Sequence, residues 1–337
     1  MQIDVILDPG SSPQEVLELG LLAESYGLQA VWGSNYPSSR DPFVNLSPLA
    51  LASSRIGLGP IVITPYELHP YKTSRALASL NELCHGRARL LTGGPTGLNA
   101  TMGADFSGMV GRTRECVEIL KGTSAEESLD YDGKYFSVHG YQPEWATDTP
   151  PLIYVGANKQ QMVHMATAVA DGLMLGDTTP ERLPSSMQLI HENLAAHGRD
   201  RDDLRVSCLV AWHVQSDKAA AVSEAKRNLA LRGMLDVWYL QSFLDEEECN
   251  IVDTNRGGFF TAYKNQSDVI EGVPDDIVDK LVENLSLCGD ANDVDRHIDR
   301  LKSYRDMGLD EIALKLHGAQ EEAIRIIGER VLPELSG

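Results

Sequence analysis

The residues best suited to chemistry stand at the ends of short apolar runs. "IGLGPIVITPYELHP" (56–70) begins as a buried strand and then carries Thr64, Tyr66, Glu67 and His69 between prolines. "IDVILDPG" leaves Asp8 at the end of the first run. Asp4, Ile6 and Asp8 share one face by the period of two, so Asp8 can hold or donate a proton at the end of that face. The competing reading is a turn contact within "DPGSSP". Two turns have a phosphate-binding look. "VGANKQQM" passes from strand to helix through Gly156, Ala157, Asn158 and Lys159. Small residues there let backbone N–H groups reach an anion, the helix start adds its dipole, and Lys159 adds a charge. "LTGGPTGLN" offers Gly93, Gly94, Thr96 and Asn99. Glycine serves strand-to-helix turns without any ligand, so each turn also has a plain structural reading. For His69, before Pro70, that reading is a helix cap; for His213 it is a local hydrogen bond, and for Glu67 an exposed loop carboxylate.

These residues need a frame that gathers strand ends. Strands are expected at 3–8, 28–33, 56–63, 88–93, 151–156, 171–176, 205–214 and 311–316, each followed by an amphipathic or glycine-stopped helix. Parallel strands need helical crossovers, so eight such units predict an α/β chain folded as a (β/α)8 TIM barrel with insertions. An open doubly wound sheet is the alternative. The whole of 1–337 reads as a single domain, with a small hairpin insertion near 130–150. A second insertion near 234–273 reads as a lid or an oligomer arm. In a barrel the site lies at the carboxyl ends of the strands. That criterion collects Asp8, Ser34, Asn35, Tyr36, Thr64 to His69, the two turns above, Gly176, Asp177 and His213.

Composition removes other classes. The chain of 337 residues has 29 Lys plus Arg against 49 Asp plus Glu, a formal charge of -20. No basic stripe is present to replace counterions on nucleic acid, and acidic lipid surfaces are unsuitable for the same reason. No stretch approaches the apolar length of a membrane span. The five cysteines are far apart, without C-x-x-C, which predicts core thiols, no metal site and a reducing cytoplasmic setting.

Several runs together resemble one family. "RIGLGPIVITPYELHP…LASLNELCHGRARL", "YDGKYFSV", "PPLIYVGANKQQMVHMATAVADGLML" and "CGDANDVDRHIDRLKSYRDMGLDEIAL" are similar to segments of the bacterial-luciferase-like superfamily. The likeness is greatest to its coenzyme F420-dependent branch, which includes methylenetetrahydromethanopterin reductase. The resemblance implies a barrel with a deazaflavin, or alternatively FMN, across its mouth. It implies a phosphate on the "VGANK" and "GLMLGD" turns, and a homodimer or higher homo-oligomer acting on a small-molecule substrate. It puts a cis peptide between Ile61 and Val62, a ring hydrogen bond on Thr64 and cofactor contacts on Ser34, Asn35, Gly94 and Asn99. Trp32, Tyr66, Glu67 and His69 then shape the substrate pocket. Three positions depart from the family pattern. Ser34-Asn35 replaces an Asp-His pair, and Thr96 replaces a carboxylate. Those groups move protons in the sugar-phosphate dehydrogenase branch, so that activity is not expected. Asp8 is left as the best acid, with Glu67 behind it. An FMN monooxygenase and a non-catalytic binding barrel are the other readings.

Overall fold

The computed structural model describes residues 1–335. Strand and helix alternate along the chain, and the fold class is the α/β (β/α)8 barrel expected from the sequence. Two compact units are distinguishable, one of residues 3–175 and 188–207, the other of 1–2, 176–187 and 208–337.

The first unit carries β1 (Gln2–Ile6), β2 (Ala30–Ser34), β3 (Gly57–Ile61), β4 (Arg89–Thr92), β5 (Leu129–Asp132), β6 (Ser137–Tyr141), β7 (Leu152–Gly156) and β8 (Gly172–Gly176). β1-β2-β3-β4-β7-β8 lie side by side, and each pairing with a recorded register is parallel. β5 and β6 form the predicted antiparallel hairpin. Between strands the chain does what its local chemistry dictates. Ahead of the helix Pro13–Tyr26, the Ser12 hydroxyl accepts the Glu15 N–H, and the Glu15 carboxylate accepts the Ser12 N–H. That reciprocal pair satisfies two donors the helix cannot. Gly27 ends the helix at φ 88°, a conformation glycine adopts without penalty.

Register decides which side chains share a face. Ser34 pairs with Ile61, Ile61 with Leu91 and Leu91 with Tyr154. By the period of two, Trp32, Gly59, Arg89 and Tyr154 stand on that same face. They form a buried polar layer. The Asp4 carboxylate accepts the Trp32 indole N–H at 2.7 Å and the Arg89 guanidinium at 3.2 Å. Trp32 meets Tyr154 edge-on at 5.5 Å, and the Arg89 guanidinium lies 5.6 and 5.8 Å from the two ring centres. Gly57 makes room for it, and Gly59 makes room for the Arg89 backbone. A Cβ on Gly59 would fall 1.7 Å from the Arg89 carbonyl oxygen, and one on Gly57 2.8 Å from its guanidinium.

The second unit holds β9 (Arg205–Val214, of which 208–214 belong here), β10 (Ser286–Gly289) and β11 (Glu311–Leu316), in the order β10-β9-β11. Ser286–Gly289 is a strand parallel to β9, at a place where the sequence pattern predicts a helix over 274–287 and no strand. All four of its residues are buried, and a run that short carries no period of its own. The insertion at 234–273 is largely helical, with Val237–Leu240, Glu246–Thr254 and Arg256–Asn265. Leu240, Leu244, Cys249, Val252 and Phe259 from it pack into one core with Ile277, Leu281 and Leu285. All five cysteines are free and buried, as expected, and burial pushes the Cys116 and Cys208 thiols up to about 12.

One carboxylate fastens the entry to β3. Glu24 accepts the N–H groups of Ser54, Arg55 and Ile56 at 3.1, 3.0 and 2.9 Å. Burial pushes its carboxyl up, but these donors and the Ser54 hydroxyl outweigh that and hold it down at about 2. A depressed folded-state value stabilises the fold above the ordinary 4.5 and is lost as pH falls towards 2. We therefore expect Glu24→Gln to destabilise the protein at pH 7 in urea titrations, with the difference from wild type closing between those two values.

Candidate active site

Beyond the Asp4–Arg89 layer, the same face of the first unit continues to Ser34 on β2, Ile61 on β3 and Gly93 after β4. The predicted residues there come together. Ser34 is buried and donates its hydroxyl to the Leu7 carbonyl at 2.6 Å. The Ile61–Val62 peptide is cis, at the position the resemblance implied. The Asn35 N–H donates to the Ile61 carbonyl at 2.8 Å, and its side-chain amide donates to the Val62 carbonyl at 3.0 Å. The turn that follows closes on itself, with the Glu67 carboxylate accepting the Thr64 N–H at 2.6 Å.

Thr64 and Asn99 form the centre of this rim, and both are wholly buried. The Thr64 hydroxyl donates to Asn99 Oδ1 at 3.1 Å. Asn99 Oδ1 also accepts the Thr96 N–H at 2.7 Å. A backbone N–H is only a donor, so this contact fixes which end of the amide is oxygen. Asn99 Nδ2 is left buried without a partner among the described residues. A buried N–H group without an acceptor costs about 1–3 kcal/mol, which a ligand oxygen would recover. Nearby, a Cβ on Gly93 would meet nothing closer than 3.6 Å, and one on Gly156 nothing closer than 3.8 Å. The rim therefore fits the carbonyl edge of a flavin-like ring. Next to it, the helix Gln160–Val169 begins after half-buried Gly156 and Asn158, buried Ala157 and exposed Lys159. Its first N–H groups suit a phosphate.

Other predicted residues are occupied differently. Trp32 is fully buried and bound to Asp4, so it belongs to the inner layer and exposes no surface for a pocket wall. Asp8 is half-buried, and its Oδ1 accepts the Gly10 N–H at 2.7 Å, which is the turn contact. His69 caps the helix Pro70–Leu83 by accepting the Tyr71 N–H at 3.2 Å on Nδ1, with its ring edge-on to Phe136. Tyr66 donates its hydroxyl to the Ser107 carbonyl at 3.1 Å and packs on Phe106. Gly94 lies under Met109, whose sulfur a Cβ there would meet at 2.6 Å.

In the second unit, Gly176 leads into Asp177, which is buried at φ 48°. Asp177 Oδ1 takes the Arg232 guanidinium at 3.1 Å and Oδ2 the Gly233 N–H at 2.8 Å. Burial pushes its carboxyl up against the pull of Arg232. His213 is also buried, its ring stacked on His317 at 4.0 Å and its Nδ1 3.5 Å from Glu224. Sequence reasoning missed Arg232 and His317. Neither spacing nor periodicity links 177 to 232 or 213 to 317.

Comparison with known proteins adds the following. The family model described as luciferase-like monooxygenase matches residues 1–311. The 5,10-methylenetetrahydromethanopterin reductase of Archaeoglobus fulgidus is 26% identical over 319 residues, covering 93% of each chain. An F420-dependent glucose-6-phosphate dehydrogenase of Microbacterium testaceum is 25% identical over 343 residues, covering 96% of this chain and 94% of its own. The solved structure of the coenzyme F420 dependent tetrahydromethanopterin reductase of Methanopyrus kandleri superposes with a TM-score of 0.82 at 21% identity, covering 99% of both chains.

The commitment of Asp177 to Arg232 is testable. Removing one partner of a buried ion pair costs about 3–5 kcal/mol. Asp177→Ala should shift the urea midpoint accordingly. An unchanged midpoint would mean that the carboxylate serves a ligand alone.

Proposed function

Because the chain belongs to the luciferase-like monooxygenase family, we propose that it is an F420-dependent oxidoreductase acting on a small organic substrate. Bound coenzyme F420 would supply or accept a hydride at C5 of the deazaflavin. One observation carries this reading: Asn99 holds a buried, correctly oriented and unpartnered amide N–H beside Thr64. The names of the relatives support the choice of F420 over other flavins.

In this reading the protein's own residues bind, orient and exclude water. Ser34, Asn35, Ile61, Val62, Thr64, Gly93, Gly94 and Asn99 hold the ring end, and Gly156, Ala157, Asn158 and Lys159 take the phosphate. Gly176 and Asp177 are further proposed cofactor-binding residues. Asp177 is itself held by Arg232 and Gly233. Tyr66, Glu67 and His69 flank the substrate. Asp8 is the proposed proton carrier. The glucose-6-phosphate activity of one relative is not carried over. Ser34 spends its hydroxyl on Leu7, and Asn35 spends its amide on Val62 and Glu67, so neither is a base. We read 1–337 as one functional domain, working as a cytoplasmic homodimer or higher oligomer without nucleic acid or membrane. No helix among the described residues is long and apolar enough to cross a membrane.

The family's description as monooxygenases keeps FMN as the competing cofactor. Titrating the pure protein with F420 and with FMN, followed by absorbance, separates the two. We expect saturable F420 binding, weakened about tenfold in Asn99→Leu, the value of one lost hydrogen bond. Tight FMN binding with no response to F420 would reject the proposal.

A further inference from the structure

Glu67 is held in a way that neither an exposed loop carboxylate nor a proton donor would be. Its N–H donates to the Thr64 carbonyl at 3.2 Å, and its side chain folds back over the same turn. Oε1 accepts the Thr64 N–H at 2.6 Å. The Asn35 amide donates to Oε1 at 3.2 Å and to Oε2 at 3.0 Å. That same amide nitrogen donates to the Val62 carbonyl at 3.0 Å. One carboxylate therefore ties the end of β2 to the turn after β3, one step from the Thr64–Asn99 pair.

We infer that Glu67, as a carboxylate, is a positioning residue that fixes Thr64 and Asn35 for cofactor binding. This rests on the reading of the rim as the F420 site. The argument is one of donors and acceptors. Both groups hydrogen-bonded to the carboxylate are N–H donors, and an ionised carboxylate is acceptor-only. A protonated acid must turn its O–H away from one of them. Glutamine, nearly the same shape, would set its NH2 against the Asn35 NH2. Rotating the Asn35 amide would relieve that clash but would bring its oxygen against the Val62 carbonyl. The role therefore needs the charge and not the volume. Proton transfer through Glu67 is disfavoured for the same reason, since its oxygens are occupied.

The surroundings also make that charge sensitive to pH. Burial pushes the Glu67 carboxyl above its usual range, the Thr64 N–H and Asn35 amide pull it back, and the Asp41 carboxylate adds to the upward push. With a raised value the ionised form is given up as pH falls from neutrality, before an ordinary glutamate near 4.5 would protonate.

The test is F420 affinity for wild type, Glu67→Gln and Glu67→Asp between pH 7.5 and about 4.5. At pH 7.5 Glu67→Gln should bind about tenfold more weakly, and Glu67→Asp, which keeps the charge, should recover part of the loss. The ratio of Glu67→Gln to wild-type Kd should fall towards one as pH drops. Taking the ratio cancels any titration of the coenzyme itself. A residue that merely fills space would rank the variants the other way, with glutamine above aspartate. That order, or a ratio independent of pH, overturns the inference while leaving F420 binding intact. If Glu67→Gln does not fold, Glu67→Asp against wild type decides: a flat pH profile in both overturns it. Wild type that binds no F420 at any pH overturns the functional proposal itself.

Discussion

The buried ion pair of Asp4 and Arg89 organises the first unit. A charge taken out of water is tolerated only when paired and hydrogen-bonded. Here Asp4 has both Arg89 and the Trp32 indole, and Arg89 lies over the rings of Trp32 and Tyr154. The contacts span β1, β2, β4 and β7, and they dictate glycine at positions 57 and 59 of β3. Five strands are thus held in one register by a single charged layer. Breaking it would leave one uncompensated charge inside.

The candidate site is the next storey of the same face. Because register is set below, Ser34, Ile61 and Gly93 arrive at the rim in fixed positions, and the backbone of Ile61 and Val62 can be tied to Asn35. Hydrogen bonds on the rim are almost all spoken for. The hydroxyl of Ser34, the amide of Asn35 and the carboxylate of Glu67 have protein partners, whereas the Asn99 amide nitrogen has none among the described residues. A site whose donors are consumed internally, except for one, is preorganised for a ligand oxygen at that point. Electrostatics supports the same division of labour. Glu67 works as an acceptor for its neighbours, which leaves Thr64 and Asn99 as the proposed binding pair.

Much of this was legible in the sequence. Apolar runs of five or so residues between helix starts and glycine stops gave the strands. The resemblance placed the cis peptide between Ile61 and Val62, and Pro70 marked His69 as a cap. What was hidden shares a cause: it depends on partners distant in sequence. Asp4 was visible as an inward carboxylate, but nothing in the chain names Arg89 as its partner. The two glycines of "IGLGP" were the available clue, since glycine inside a strand often marks a close approach of another part of the chain. Trp32 was placed in the substrate pocket together with the resemblance, although its indole is taken up by Asp4 below the rim. The tie made by Glu67, read as a pocket wall, was hidden because its two donors, Thr64 N–H and the Asn35 amide, come from two different strand ends. The insertion at 234–273 had no periodic signature because it is built from short helices around a shared core.

The central claim is that the buried rim of Thr64 and Asn99 receives the carbonyl edge of a deazaflavin. A crystal structure with coenzyme F420 tests it most directly. The account predicts a ring oxygen within hydrogen-bonding distance of Asn99 Nδ2, with Glu67 still bound to Asn35 and Thr64. A ring bound elsewhere, with the Asn99 amide nitrogen satisfied by water or protein instead, would contradict it.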